Sequence, residues 1–529
     1  MNTEVLIVGA GPTGLMLANQ LVRRGISVLI IDRHAGPSRE TRALGVQART
    51  LEIYSQLGIV DRALELGKQG TGGNIWADGV HRARIALSDA GDKVSPYPFV
   101  LILGQDDNER LLGDRLRELG GSIHWNTELL GLKQNTDRVY AVVKDADGSE
   151  REIAAAWVAG CDGARSFVRE SCGIAFAGAP YEHVFFVADT EMTGKMVADE
   201  VNVYLFRDGF HLLFPMRGKD HWRIVGILPP NLSNKPDLKF EEVIPSLQNE
   251  AGDQLSIKSC SWFSTYRIHH RAAVHFRDRR CFLLGDAAHI HSPVGAQGMN
   301  TGLQDAYNLA WKLALVIKQR ATPGLLDSYE QERIPVAKAL LGGTDRAFRI
   351  VVSGSRIIGL LRTKILSRIA AFAVNRKAIQ RIAFRVVSQT AIRYRKSSLS
   401  KTLEALPERA PQAGDRFPWL SLKLCPNGPV EDLFQAFSDT CFHLVLIGQA
   451  ALAAGANNFG DLLQTHFIPD DSLNDQELAR AQLQKPSFYL IRPDGYVGLC
   501  GKVAQVDEIA KYAERNLQFT QQVMANTAG

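Results

Sequence analysis

Gly9, Gly11 and Gly14 stand as G-x-G-x-x-G in GAGPTG, after an apolar run and before a segment of helical spacing. Glycines in that order let a strand turn tightly into a helix. They also let a pyrophosphate approach the helix N-terminus, where amides and the helix dipole favour negative charge. Asp32 ends the next apolar run, eighteen residues after Gly14, with Arg33 beside it. A carboxylate there accepts from ribose hydroxyls and disfavours a 2′-phosphate, so the dinucleotide is FAD or NAD rather than NADP.

Two later segments add to this. AGCDGARSFVR at 159–169 carries Asp162-Gly163 after an apolar run. CFLLGDAAHIHSPVGAQGMNTGLQDAYNLAWKLA at 281–314 carries Gly285-Asp286, a glycine-rich loop and a long helical pattern. Asp286, at a strand end, is placed to accept from the hydroxyls of an extended dinucleotide. Gly295, Gly298, Met299 and Asn300 lead into a helix whose first amides can stabilise an anionic ring edge. His289 and His291 form H-x-H, but no cysteine or acid cluster completes a metal set, and no metal is expected.

The elements that hold these groups follow from periodicity. Residues 3–8, a helix over 15–24 and a strand over 27–31 make a βαβ start. A charged amphipathic helix is expected over 109–119, and strands over 139–143 and 152–158. From 181 to 275 the pattern changes to alternating strand-like runs, so a sheet unit interrupts the first domain. A last unit holds strands at 442–447 and 487–491, the turn Arg492-Pro493-Asp494-Gly495, and a terminal helix from about Val506.

The three motifs in this order resemble the single-component flavoprotein aromatic hydroxylases, the class A flavin monooxygenases with the p-hydroxybenzoate hydroxylase fold. The resemblance runs from residue 1 to about 340 and is most specific over 281–314. It implies an α/β fold: a Rossmann-like FAD-binding domain at 1–180 and 276–345 with an inserted β-sheet substrate domain at 181–275, followed by a basic helical linker at 346–410. Residues 411–529, by FHLVLIG and LIRPDGYVGLCG, resemble the thioredoxin-like C-terminal domain of phenol hydroxylase relatives and lack C-x-x-C. It implies NADPH or NADH as a transient co-substrate, since no second complete dinucleotide fingerprint is present. Dioxygen would be activated as a flavin C(4a)-hydroperoxide and one atom passed to an aromatic ring. By resemblance, Pro293 packs against the flavin ring, Arg42 contacts pyrophosphate or flavin, Asp286 accepts from the ribityl hydroxyls of FAD, and Gln105 and Arg110 lie near the ribityl chain. Asp162 serves both FAD and the reductant.

Departures from relatives shape the substrate expectation. Phenol hydroxylases carry an acid where this chain has Leu44, so that general base is missing. Phe214 and Pro215 stand near where the family places a carboxylate-binding serine, which disfavours a small benzoate. Leu44, Tyr204, Phe210, His211 and Phe214 are candidates to line a pocket for a phenolic or polycyclic aromatic substrate. Baeyer–Villiger oxidation of a polycyclic ketone is the rival reaction on the same fold. A non-catalytic FAD-binding interaction protein, as in the GDP-dissociation inhibitors, is the rival from another class.

Composition agrees with a soluble enzyme. The chain has 529 residues, 45% hydrophobic and 22% charged, with a net charge of +5. A nucleic-acid binder would show a stronger basic excess. Seven scattered cysteines argue against a disulfide framework and for the cytoplasm. No spanning helix or membrane partner is expected, and the protein is read as a monomer or homodimer. Residues 346–401 hold fourteen Lys and Arg and no Asp or Glu. The expectation there is that the cations face solvent and that an apolar stripe over 357–372 is buried against the rest of the chain.

Overall fold

The computed structural model describes residues 1–38, 43–206, 209–233, 235–250, 255–291, 297–352, 376–449 and 459–521. Its first sheet has a parallel centre in the order Cys281–Leu283, Glu150–Gly160, Asn2–Val8, Val28–Ile31 and Ile123–His124. In the middle strand Val5 pairs with Trp157 on one side and Val28 on the other. Val5, Leu6, Ile7 and Val8 are all buried, as a parallel strand covered on both faces requires. Helix Pro12–Val22 follows, with Pro12 in its first turn, where a missing N–H costs nothing. It packs between helix Gln105–Glu118 and helix Gly298–Ile317.

The second sheet has eight strands, in the order His289–Ile290, Leu255–Ala273, Phe176–Gly194, His221–Ile227, Gly209–Pro215, Val201–Phe206, Gly72–Ala77 and Val80–Ala86. The span 181–275 is therefore too narrow for this unit. The long strand starts at Phe176, and the hairpin at 72–86 joins the sheet through parallel pairing with Val201–Phe206. That pairing is distant in sequence and leaves no local signature. Tyr204 pairs with His211, and Leu205 with Phe210, so the two pairs point to opposite faces. The Tyr204 face packs Trp76, Phe186, Leu213 and Ile224 against Phe240, Val243 and Leu247. On the other face Phe210 packs with Tyr181, Phe185 and Ile227.

The third sheet runs Lys401–Thr402, Val497–Gly501, Ser487–Ile491, Phe442–Ile447 and Leu463–Ile468. Strand 442–447 is parallel to 463–468 and antiparallel to 487–491. Part of this unit shares one hydrophobic core with the first: Phe442, Leu444, Leu446 and Leu490 join the cluster that holds Leu303, Leu309 and Trp311. Trp311 meets Phe442 edge to face at 5.7 Å. Helix 298–317 lies between the sheets and is buried at every residue from Asn300 to Val316. A helix buried all round must satisfy its polar side chains internally. Asn300, Asp305, Asn308 and Lys312 lie in it, and their partners organise the site.

Among the described residues no helix is long and apolar enough to cross a membrane. The stripe expected over 357–372 lies outside the described residues.

Candidate active site

The glycines of the first turn have separate tasks. Gly9 has φ +105°, and a Cβ on it would lie 2.3 Å from the Cys161 carbonyl oxygen. A Cβ on Gly14 would lie 2.0 Å from the Gly9 carbonyl oxygen. Both positions are closed by the fold itself. Gly11 differs: a Cβ there would meet nothing within 4 Å. Gly11 is also the N-cap of helix 12–22, and no side chain caps the amides there. An open glycine over an uncapped helix N-terminus is a cradle shaped for a phosphate-bearing ligand. Asp32 fixes its rim, accepting from the Ala10 amide at 2.7 Å and the His34 amide at 2.8 Å. Arg33 is exposed beside it.

Helix 298–317 brings a second N-terminus to the same place, one that the Gln297 side chain does not cap. Cβ atoms on Gly285 and Gly302 would lie 2.6 Å and 2.3 Å from Thr13 Oγ1. The first turn of helix 12–22, the Gly285-Asp286 turn and the start of helix 298–317 therefore meet at Thr13. Asp286 is exposed between buried Gly285 and Ala287, a carboxylate at a strand end with access to a ligand. Gly298 also has open space where a Cβ would stand. The Asn300 side chain is engaged internally. It accepts from the Gln47 amide at 2.9 Å and Thr50 Oγ1 at 2.7 Å, and donates to the Gly45 carbonyl at 2.7 Å. Asn108 Nδ2 lies 3.4 Å from Met299 Sδ. Gln105 Nε2 donates to Glu109 at 2.9 Å, and Glu109 accepts from the Ser38 amide at 2.7 Å. Burial pushes the Glu109 carboxyl up.

Asp162 stands beside this turn, its backbone nitrogen 2.9 Å from where a Cβ on Gly9 would lie, whereas Arg110 points away from it. Arg110 lies on the exposed side of its helix, paired with Asp106 at 3.2 Å and Asp107 at 3.0 Å. The Asp162 carboxylate accepts from Ser166 Oγ at 2.6 Å and the Val168 amide at 3.1 Å, so it holds the turn before helix Phe167–Ser171. Burial raises its pKa. Arg42, Pro293 and Gly295 lie outside the described residues.

The substrate-side candidates separate. Leu44 and Phe214 share one apolar cluster with Val100, Ile102, Val201, Met216 and Val387. Tyr204 and His211 do not reach it. Strand alternation sends them to the sheet face covered by Phe240, Val243 and Leu247, where Tyr204 stacks on Trp76 with centroids 5.5 Å apart. Both are buried there, apart from the cluster at Leu44 and Phe214. Phe210 lies on the sheet face opposite Tyr204, in its own cluster.

A buried polar chain was missed in the sequence. Asp305 accepts from Arg333 Nε at 2.6 Å, from the Gly285 amide at 3.1 Å, and lies 2.7 Å from His289 Nε2. His291 Nε2 lies 2.8 Å from His289 Nδ1. Burial would raise the Asp305 carboxyl, but the Arg333 guanidinium and His289 outweigh it and hold it below the usual carboxylate range. Burial pushes His291 well below its usual value, so its ring is neutral. The Asp305 carboxylate thus fixes the Gly285 amide beside Asp286. H-x-H is a structural relay here, and among the described residues no group of three His, Cys, Asp or Glu could hold a metal.

A second network ties in the last unit. Lys312 Nζ donates to Glu332 at 2.7 Å, and Arg492 donates to Glu332 at 2.5 and 2.9 Å. Asp494 accepts from Trp311 Nε1 at 3.1 Å. Burial is the largest influence on Lys312 and brings it down to about 8, against the pull of Glu332.

Comparison with known proteins agrees with this geometry. Residues 2–344 match the family described as FAD binding domain. The chain is 33% identical over 510 residues to 6-methylpretetramide 4-monooxygenase of Streptomyces rimosus, covering 94% of this chain and 91% of that one. It is 33% identical over 470 residues to pentachlorophenol 4-monooxygenase of Sphingobium chlorophenolicum, covering 88% and 84%. The solved anhydrotetracycline hydroxylase of Streptomyces rimosus superposes with a TM-score of 0.78 at 28% identity, covering 98% of this chain and 99% of that one. The chain belongs to the FAD-binding family of flavin-dependent aromatic monooxygenases.

Proposed function

We propose that the protein hydroxylates a phenolic or polycyclic aromatic substrate, using FAD, dioxygen and NADPH or NADH. The observation that carries this reading is the meeting of two helix N-termini and the exposed Asp286 around Thr13. Gly11 would cradle the pyrophosphate in the tight turn that Gly9 and Gly14 allow, Asp32 the adenosine ribose, and Asp286 the ribityl chain. Bound FAD would supply the chemistry, taking a hydride from the nicotinamide and activating dioxygen for transfer of one oxygen atom to the ring. The amides at Gly298, Met299 and Asn300 would stabilise negative charge on the ring edge they face. Pro293 would pack beside the ring.

The chain's own part is to position and to exclude water. Leu44, Phe214, Val100, Ile102 and Met216 form an apolar wall with no acid or base among them. Such a wall suits a bulky, electron-rich aromatic. Relatives named for action on a pretetramide, an anhydrotetracycline and pentachlorophenol support a phenolic substrate. The strand order 463–468, 442–447, 487–491, 497–501, with one parallel and two antiparallel pairings, supports a thioredoxin-like last unit. Its role is structural or in dimerisation, since the sequence has no C-x-x-C. The test is a screen of phenols for compounds that accelerate NAD(P)H oxidation by the FAD-loaded protein. Acceleration with a hydroxylated product supports the reading. Oxidation at one fixed rate, with peroxide as the sole product across the panel, overturns it.

A further inference from the structure

Helix Lys377–Val387 has three distinct faces. Phe384 is buried against Ala48 and Ala90. Ile379, Ile382 and Val386, at spacings of three and four, are 40%, 64% and 59% exposed. Lys377, Arg381 and Arg385, each four apart, form an exposed cationic edge beside that apolar face. On this helix an apolar face is turned outward. Arg385 lies near four other guanidinium groups, of which Arg416, Arg393 and Arg480 are themselves paired with Glu52, Asp415 and Glu477. Burial and the guanidinium groups of Arg416, Arg393, Arg381 and Arg480 all lower its pKa. The surrounding stretch 346–401 carries fourteen cations and no acid.

The helix is fastened at its C-terminal end to the candidate site. Gln297 Nε2 donates to the Val387 carbonyl at 2.9 Å, and Gln389 Nε2 donates to Thr301 Oγ1 at 2.9 Å. The Arg49 amide donates to the Ser388 carbonyl at 3.2 Å. Val387 itself packs on the cluster that holds Leu44 and Phe214.

We propose that helix Lys377–Val387 docks on an anionic phospholipid bilayer, with Ile379, Ile382 and Val386 in the headgroup–acyl boundary and Lys377, Arg381 and Arg385 at the phosphates. An exposed apolar face flanked by cations that have no acidic partner among the described residues is what such a surface binds. A polyanion such as nucleic acid would take the cations and leave three apolar side chains in water. A second copy of this face would bring like charges together. The docked orientation sets the apolar cluster at Leu44 and Phe214 near the lipid. On the hydroxylase reading, this suits an aromatic substrate that partitions into the membrane.

The test uses the full-length, FAD-loaded chain and flotation with two vesicle types: phosphatidylcholine alone, and phosphatidylcholine mixed with phosphatidylglycerol. The protein is expected to float only with the mixed vesicles and to be released at high salt, where screening is strong. Each basic residue near the surface contributes about fivefold to binding, so Arg381→Glu is expected to weaken it by roughly twentyfold. Ile382→Asp is expected to weaken it at least as much while keeping the cations. Both side chains are exposed, so flavin content and melting temperature should match the wild type. Equal flotation with neutral vesicles, no flotation, or flotation unchanged in both variants would overturn the proposal. So would a wild-type dimer that Ile382→Asp converts to monomer while neither protein touches vesicles, since the face would then join two copies. Flotation needs no turnover, so its outcome is separate from that of the substrate screen.

Discussion

Gly11 and Gly14 share a motif, yet substitution should part them. Gly14→Ala drives a Cβ into the Gly9 carbonyl and should destabilise the protein itself. Gly11→Val meets open space at an ordinary φ of −72°, so the apo protein should melt as the wild type does. Its flavin affinity should nevertheless fall at least tenfold, because the new side chain fills the cradle. Titration with FAD beside thermal melting of both apo variants checks this. Asp286→Ala removes a charged acceptor worth about 1.5–3 kcal/mol, a ten- to hundredfold loss of FAD affinity. Flavin binding at wild-type strength in Asp286→Ala would refute that placement. At this scale the motif residues were legible because their spacing is local. The expected pocket was less so: Phe210 and His211 are neighbours on a strand and cannot share a face.

Among the elements, the turn at Gly285-Asp286 depends on Asp305, twenty residues further on. Nothing in the local pattern marks Asp305, because its partners His289 and Arg333 lie on other elements. The central helix itself was readable from its apolar run, while its polar partners needed the fold. The Asp305 carboxyl has a lower pKa folded than unfolded, where it is about 3.9. It therefore contributes stability above that value, and the contribution is lost as the pH falls through the folded pKa. Glu332 and Glu52 are held low in the same sense, each by opposed cations that outweigh burial. Stability should decline steadily below about pH 5. Asp305→Asn should flatten that decline, lower the melting temperature at pH 7 and weaken FAD binding through the misplaced Gly285 amide. Melting curves across pH for wild type and variant test the sign, and an unchanged acid slope would contradict it.

On the scale of the whole molecule, the last unit is part of the enzyme's core and not an appendage. The turn Arg492-Pro493-Asp494-Gly495 was visible in the sequence as a hairpin turn. Its task was not, because Arg492 and Asp494 meet Glu332 and Trp311 across a buried interface. Arg492→Leu leaves Glu332 and Asp494 short of a buried cation and should cost about 3–5 kcal/mol. Calorimetry should show one cooperative transition moved downward, with FAD affinity of the folded protein unchanged. A separate early transition would mean that the unit unfolds by itself. The central claim, that this scaffold places an FAD ring beside an apolar aromatic pocket for oxygen transfer, is tested most directly by isotope. The FAD-loaded protein is given NAD(P)H, ¹⁸O₂ and any phenol that accelerates NAD(P)H oxidation, and the product is weighed by mass spectrometry. The account predicts one ¹⁸O atom in a new ring hydroxyl; a product whose new oxygen comes from water, or NAD(P)H oxidation that yields labelled peroxide and unaltered phenol throughout, would contradict it.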